Sequence, residues 1–131
     1  MKGIRDMKKS ISSEKAPKPV GPYSPAVIAG EFVWTSGQLG IDPATGELVP
    51  GGIEAETEQA LKNLAAVLEA AGSGLDRVIK TLIFITDMSQ FAKVNAVYAR
   101  YFQEPYPARS TVQVSALPKG AMVEIEAVAL R

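Results

Sequence analysis

The chain has no cysteine and no histidine. The first absence excludes a disulfide framework, a thiolate nucleophile and a cysteine-ligated zinc site. The second removes the usual imidazole base and the commonest metal-ligating side chain, so a Ser-His-Asp triad is impossible. Net charge is missing too. Fourteen basic residues against fourteen acidic ones argue against a surface built mainly to hold a polyanion, and nucleic acid is an unlikely partner. No run reaches the roughly 18 apolar residues of a membrane span. The opening MKGIRDMKKS is basic but has no apolar stretch of the secretory kind. A cytoplasmic protein is the expectation, and any chemistry falls to carboxylates, Tyr, Lys, Arg, hydroxyls, backbone groups and water.

What is present suits one domain spanning residues 1–131, with 1–6 read as an N-terminal extension ahead of Met7. At 47% hydrophobic and 21% charged residues the composition is that of a globular chain, long enough to bury a single core. A short strand is expected near Ser10–Ser13. Four prolines in APKPVGPYSPA (16–26) then stop helix and strand alike. AVIAGEFVWTS reads as a hairpin, Ala26–Ala29 and Phe32–Ser36, turning at Gly30-Glu31. IDPATGELVPGG is turn chemistry. From Ile53 to Ala71 the apolar positions Leu61, Leu64, Ala65 and Leu68 recur at helical spacing, with Glu56, Lys62 and Glu69 pointing away, and Gly72 ends the helix. RVIKTLIFIT (77–86) is β-branched and short, hence a strand. Asp87 or Ser89 then caps a second helix running to about Phe102, with Phe91, Val94, Tyr98 and Tyr101 on its apolar face. The result is an α+β protein, one sheet with both helices on one face.

The final stretch, PARSTVQVSALPKGAMVEIEAVAL (107–130), reads as two strands joined by a Pro-Lys-Gly turn. Arg109, Thr111, Gln113 and Ser115 share one face of the first strand; Glu124 and Glu126 share one face of the second. A hairpin that pairs Val114 with Val123 and Val112 with Ile125 would keep the apolar rows together against the helices. The same register brings Arg109, Thr111, Glu124 and Glu126 into one polar row. Such a row is either a solvated strand face, where ion pairs contribute only about 0–1 kcal/mol, or a site. An arginine fits a carboxylate through both oxygens, and a neighbouring glutamate can position water or move a proton.

The chain resembles the RidA (YjgF) family of reactive-intermediate deaminases. The resemblance runs through GPYSPA (21–26), WTSGQLGIDPATGELV (34–49), QALKNLAAVLEAAG (59–72), VIKTLIFITDMSQFAKVNAVYARYF (78–102) and the final stretch, nearly the whole chain in order. It implies a chorismate-mutase-like fold, a mixed β-sheet with two helices packed on one face, assembled as a homotrimer with sheets lining the centre and sites between subunits. It implies hydrolysis of 2-imino and 2-enamino acids, such as 2-aminoacrylate, 2-iminopropanoate and 2-iminobutanoate, to 2-keto acids and ammonia. By position Arg109 matches the arginine that grips the substrate carboxylate, and Glu124 the glutamate associated with the attacking water. Tyr23, Ser36 and Asn95 match pocket residues, and Thr111 stands where many members carry cysteine. Pro25 replaces the commoner glutamine of GPYSQA.

Read alone, these residues are less telling. Tyr23 is a loop aromatic among prolines, Ser36 a turn residue, and Asn95 an asparagine at a poor mid-helix position. Imine hydrolysis requires no cofactor or metal. Two rival functions use the same residues: a non-catalytic binder of small metabolites, and an RNA-directed ribonuclease or translation inhibitor.

Overall fold

In the computed structural model, which describes Gly3 and residues 7–131, the strands are β1 (Lys8–Ile11), β2 (Ala26–Ala29), β3 (Phe32–Thr35), β4 (Gln38–Leu39), β5 (Val78–Ile85), β6 (Ala108–Gln113) and β7 (Val123–Leu130). The helices are α1 (Gly52–Ala70) and α2 (Phe91–Tyr98). Apart from Gly3, the expected extension lies outside the described residues.

The long helix forms where its apolar spacing requires. Leu61, Leu64, Val67 and Leu68 are fully buried, each side chain contributing roughly 1.5–3 kcal/mol by leaving water. Gly72 adopts a left-handed φ of 79° and donates its amide to Glu69 O, while the Ser73 amide reaches Leu68 O. These bonds satisfy the last carbonyls of α1. Three polar residues of α1 are buried; Thr57 donates to Ile53 O one turn back, and the other two reach neighbouring segments. Asn63 donates through Nδ2 to Leu39 O (3.0 Å) and Ile41 O (2.8 Å), fastening the helix to β4. Glu56, expected to point away from the core, is 5% exposed, and its Oε1 accepts from the Met122 amide at 2.9 Å. An apolar-periodicity argument discards such a residue because its role is to satisfy backbone, not to fill space.

The N-terminal hairpin forms as expected, with β2 and β3 paired from Ala26↔Thr35 to Ala29↔Phe32. β1 joins the outer edge of β2. Asp87 is the cap ahead of α2. Its Oδ1 accepts from the Ser89 amide (3.0 Å) and hydroxyl (2.7 Å), and these bonds hold its carboxyl below the usual range. α2 closes at Tyr98, earlier than expected, and the chain tightens into turns through Tyr101 N to Tyr98 O.

The C-terminal hairpin does not form. The sheet runs β1-β2-β3-β7-β5-β6, with β4 pairing the opposite end of β7 from β3. β5 lies between the two strands expected to be partners. It is parallel to β6 (Thr81↔Arg109, Ile83↔Thr111) and antiparallel to β7 (Leu82↔Glu126, Phe84↔Glu124). The β5-α2-β6 unit supplies the crossover that a parallel pair needs. Across β5 the parities are therefore opposite. Arg109 and Thr111 share the face of Thr81 and Ile83, toward the helices, whereas Glu124 and Glu126 share the open face with Phe84 and Leu82. Val112, expected inside, is 42% exposed on that open face.

Both helices cover one face, burying Val33, Ile83, Ile85, Val123, Ile125 and Ala129 beneath them. The other face is mostly apolar, not polar as the hairpin reading implied: Phe32, Trp34, Val112 and Leu130 are exposed there, beside half-buried Leu82, Phe84 and Val128.

At Gly40, just after β4, the chain lies close against the α1 backbone. A Cβ at this position would lie 2.6 Å from Glu56 Cα and Glu56 O, both backbone atoms that cannot yield cheaply. Gly40→Ala should therefore cost roughly 1–3 kcal/mol, the usual penalty of overpacking. Urea unfolding reads this directly, and a midpoint equal to that of the unaltered chain would contradict the close approach.

Candidate active site

The expected site residues fall into two groups on opposite faces of the sheet. On the open face, Tyr23, Ser36 and Glu124 line one cavity of about 470 Å³, walled also by Val20, Pro25, Leu39 and the Pro118-Lys119 turn. The proline-rich loop is held in place locally. The Ser36 hydroxyl donates to Ser24 O at 2.6 Å, and its amide to Pro25 O at 2.9 Å. Tyr23 is half exposed, with its ring turned toward the Gly21 side of the loop and its hydroxyl accepting a long 3.4 Å bond from the Val20 amide.

Glu124 reaches this cavity because the β3–β7 ladder breaks beneath it. β3 pairs with β7 only as far as Trp34↔Val128, and β4 resumes at Gln38↔Ile125. Between them the Ala127 amide donates to the Thr35 side chain, Oγ1, at 3.0 Å instead of to a carbonyl. Gly37 fills the break. A Cβ there would stand 2.7 Å from Glu124 Cγ and run into the carboxylate, so glycine keeps room for the glutamate. Burial raises the Glu124 carboxyl above its ordinary pKa, and the adjacent Glu126 charge adds to the effect. A carboxyl so placed can take up and return a proton closer to neutral pH.

Arg109 lies on the helix side, at the edge of the sheet. Its guanidinium carbon sits 4.8 Å from the Tyr98 ring centroid and 5.4 Å from that of Phe91. Among the described residues no hydrogen bond or ion pair engages it, which leaves its planar fork of N–H donors available to an anion. Asn95 lies one helical turn from both Phe91 and Tyr98 on α2, exposed, and Thr111 follows two residues after Arg109 on the same strand face. A single chain thus holds, among the described residues, an unpaired guanidinium and a half-buried carboxylate, but not together.

The sequence places Phe91 and Tyr98 on the apolar helix face only, assigns Gly37 to backbone geometry and does not single out Thr35. Phe91, Asn95 and Tyr98 at i, i+4 and i+7 beside an arginine on the following strand was the available signal. Nothing in the sequence marks Thr35, because a broken ladder has no composition of its own.

Fold and site together define a small α+β protein with one mixed sheet, a helical face and a cavity on the uncovered face. The family model described as Endoribonuclease L-PSP matches residues 13–131, and the chain belongs to that family, the YjgF/RidA proteins. It is 54% identical over 125 residues to a RutC family protein of Pyrococcus horikoshii, covering 95% of this chain and 99% of that one. It is 50% identical to a 2-iminobutanoate/2-iminopropanoate deaminase of Bos taurus, covering 95% and 91%. Among solved structures, RidA from the Antarctic bacterium Psychrobacter superposes with a TM-score of 0.91 at 49% identity, covering 94% of this chain and 99% of that one.

The Glu124 environment has a thermodynamic signature. A carboxyl whose pKa is raised by folding favours the native state while protonated and opposes it once ionised, so its contribution is lost as pH rises from below 4.5 through the raised value. Glu124→Gln removes that penalty. The variant should melt above the parent at pH 7 and coincide with it well below pH 4.5; a gap that widens on acidification would reverse the assignment.

Proposed function

We propose that this protein hydrolyses 2-imino and 2-enamino acids to 2-keto acids and ammonia, and that each site is built from two subunits of a homotrimer. Support for the reaction comes from relatives named 2-iminobutanoate/2-iminopropanoate deaminase at 46–50% identity. Support for the divided site comes from one observation: Arg109 and Glu124 lie on opposite faces of the same sheet. The uncovered face carries exposed Phe32, Trp34, Val112 and Leu130, a surface that a second and third copy would bury. With sheets facing inward, the Glu124 cavity of one subunit would meet the edge strand of the next.

In this arrangement Arg109 grips the substrate carboxylate through paired N–H groups. Tyr23, Ser36, Asn95 and Thr111 complete the pocket wall, contributed by the two subunits according to the face on which each lies. An enamine first takes a proton at C3 to become the imine. Water then attacks C2 of the protonated imine and gives a proton to Glu124, forming a carbinolamine. Glu124 returns that proton to nitrogen and takes the carbinolamine hydroxyl proton as the C2–N bond breaks, so the products are the 2-keto acid and ammonia and the last proton leaves Glu124 to water. The imine is already electrophilic, so most of the acceleration comes from orientation and from a proton acceptor of suitable pKa. No step needs a thiol, and threonine at position 111 is compatible with it.

Arg109→Lys keeps charge but loses the fork, and should weaken substrate and 2-keto acid binding by roughly 2–4 kcal/mol. Glu124→Gln should retain 2-keto acid binding within a few-fold while the deaminase rate drops about 10²-fold. Equal loss of binding and turnover would make Glu124 a structural group, and retained binding with no turnover in the parent protein would favour a metabolite binder. The two-subunit site has its own test. Arg109→Ala and Glu124→Gln chains, each inactive alone, are unfolded together and reassembled in equal amounts. If every site takes one residue from each of two neighbours, about one site in four regains both groups, as random mixing in a closed ring requires. Activity that stays at the level of the separate variants would place both residues in one subunit and end the model.

A further inference from the structure

The guanidinium of Arg109 is seated on two aromatic rings, and that seat is itself ordered from behind. Phe102 stacks on Tyr98 with centroids 4.4 Å apart, so the guanidinium takes the other ring face. The Tyr98 hydroxyl is bonded to Thr81 Oγ1 at 2.8 Å, and both residues are buried. Thr81 is the residue of β5 that pairs with Arg109, so strand register and ring orientation are fixed by the same contact. Phe91 flanks the arginine from the other end of α2. A free arginine side chain samples many rotamers, and freezing it on a ligand costs affinity. Against aromatic faces it is held without any of its N–H donors being used. A carboxylate seat would hold it as firmly but would occupy the fork and cancel the charge.

We infer that Phe91 and Tyr98 are positioning residues: they form an aromatic seat that pre-orients Arg109 and leaves its entire donor fork for the incoming carboxylate. This rests on the reading of Arg109 as the carboxylate anchor. Phe91 sets the strength of the seat from the partly exposed side. Tyr98, locked by Thr81 and Phe102, sets its angle. The seat acts on ligands that carry a carboxylate and is indifferent to those that do not.

The test compares 2-ketobutyrate with its neutral amide, 2-ketobutanamide, as ligands of the intact protein, and follows steady-state deamination of 2-iminobutanoate generated in situ. Phe91→Leu keeps an apolar side chain but removes the π face. It should weaken 2-ketobutyrate about three- to tenfold, the scale of one partly exposed cation–π contact. Amide binding should not change, and KM should rise by the same factor as the 2-ketobutyrate Kd with kcat nearly constant. Phe91→Tyr restores the face and should restore affinity. Tyr98→Phe keeps the π face but removes the hydroxyl that Thr81 locks, so it should weaken 2-ketobutyrate by less than Phe91→Leu does and leave the amide unchanged. An unchanged acid-over-amide preference in Phe91→Leu, with that preference present in the parent, overturns the inference alone. Equal weakening of acid and amide also overturns it, because the ring would then be touching the ligand directly. If the parent itself does not distinguish acid from amide, Arg109 is no carboxylate anchor, and the functional reading fails along with the seat.

Discussion

The position of β5 between β6 and β7 governs everything distinctive about this molecule. A strand has two faces, and its side chains alternate between them wherever pairing is regular, as it is in β5 from Thr81 to Ile85. Once β5 is paired on both sides, each residue of β6 and β7 is assigned to one face by its register against the same strand. Thr81 brings Arg109 to the helical side, and Phe84 brings Glu124 to the open side. No rotamer change can bring the two together through a closed sheet. The arginine and the glutamate of the candidate site are thereby separated within the chain that encodes them both.

That same central strand explains how much of the structure was legible in the sequence. Local elements were: the Gly30 hairpin, the Leu61–Leu68 stripe, the β-branched run at 78–85 and the Asp87 cap each carry their signal within a few residues. The α+β class followed from their order. Neighbour choice did not, because alternation in ARSTVQV and VEIEAVA states that each strand has two unlike faces but not which strand lies beside it. A short Pro-Lys-Gly connection made the hairpin the simplest answer, yet Lys119 (φ 61°) and Gly120 (φ 70°) take left-handed backbone there, and the chain passes over β5 instead of turning back on β6. The individual candidate residues came from family resemblance, residue by residue. Their division between faces was not, since a motif has no sheet in it.

The chain lacks histidine, and the cavity shifts a carboxyl toward neutral pH instead. Burial and the Glu126 neighbour both push Glu124 upward, and neither requires a rare residue. Gly37 and the broken ladder are part of the same device, because they let a strand residue lean into a cavity where an unbroken sheet would hold it upright. On the other face the opposite problem is solved. Arg109 is restrained by aromatic rings, and these provide restraint without neutralisation. The two faces use unlike physics: burial shifts the carboxyl of one, and aromatic stacking holds the charge of the other in place.

The ladder break also bears on how the sheet breathes. At Ala127 the acceptor is a hydroxyl on a side chain, which leaves its amide after one rotation about χ1 of Thr35. A carbonyl acceptor would release it only when strand backbone moves. The middle of β7 therefore contains an amide that can open to solvent while the pairs on either side, Trp34↔Val128 and Gln38↔Ile125, remain closed. Hydrogen exchange in β7 should then be fastest not at a frayed end but under the cavity floor, making Ala127 a native reporter of events above it.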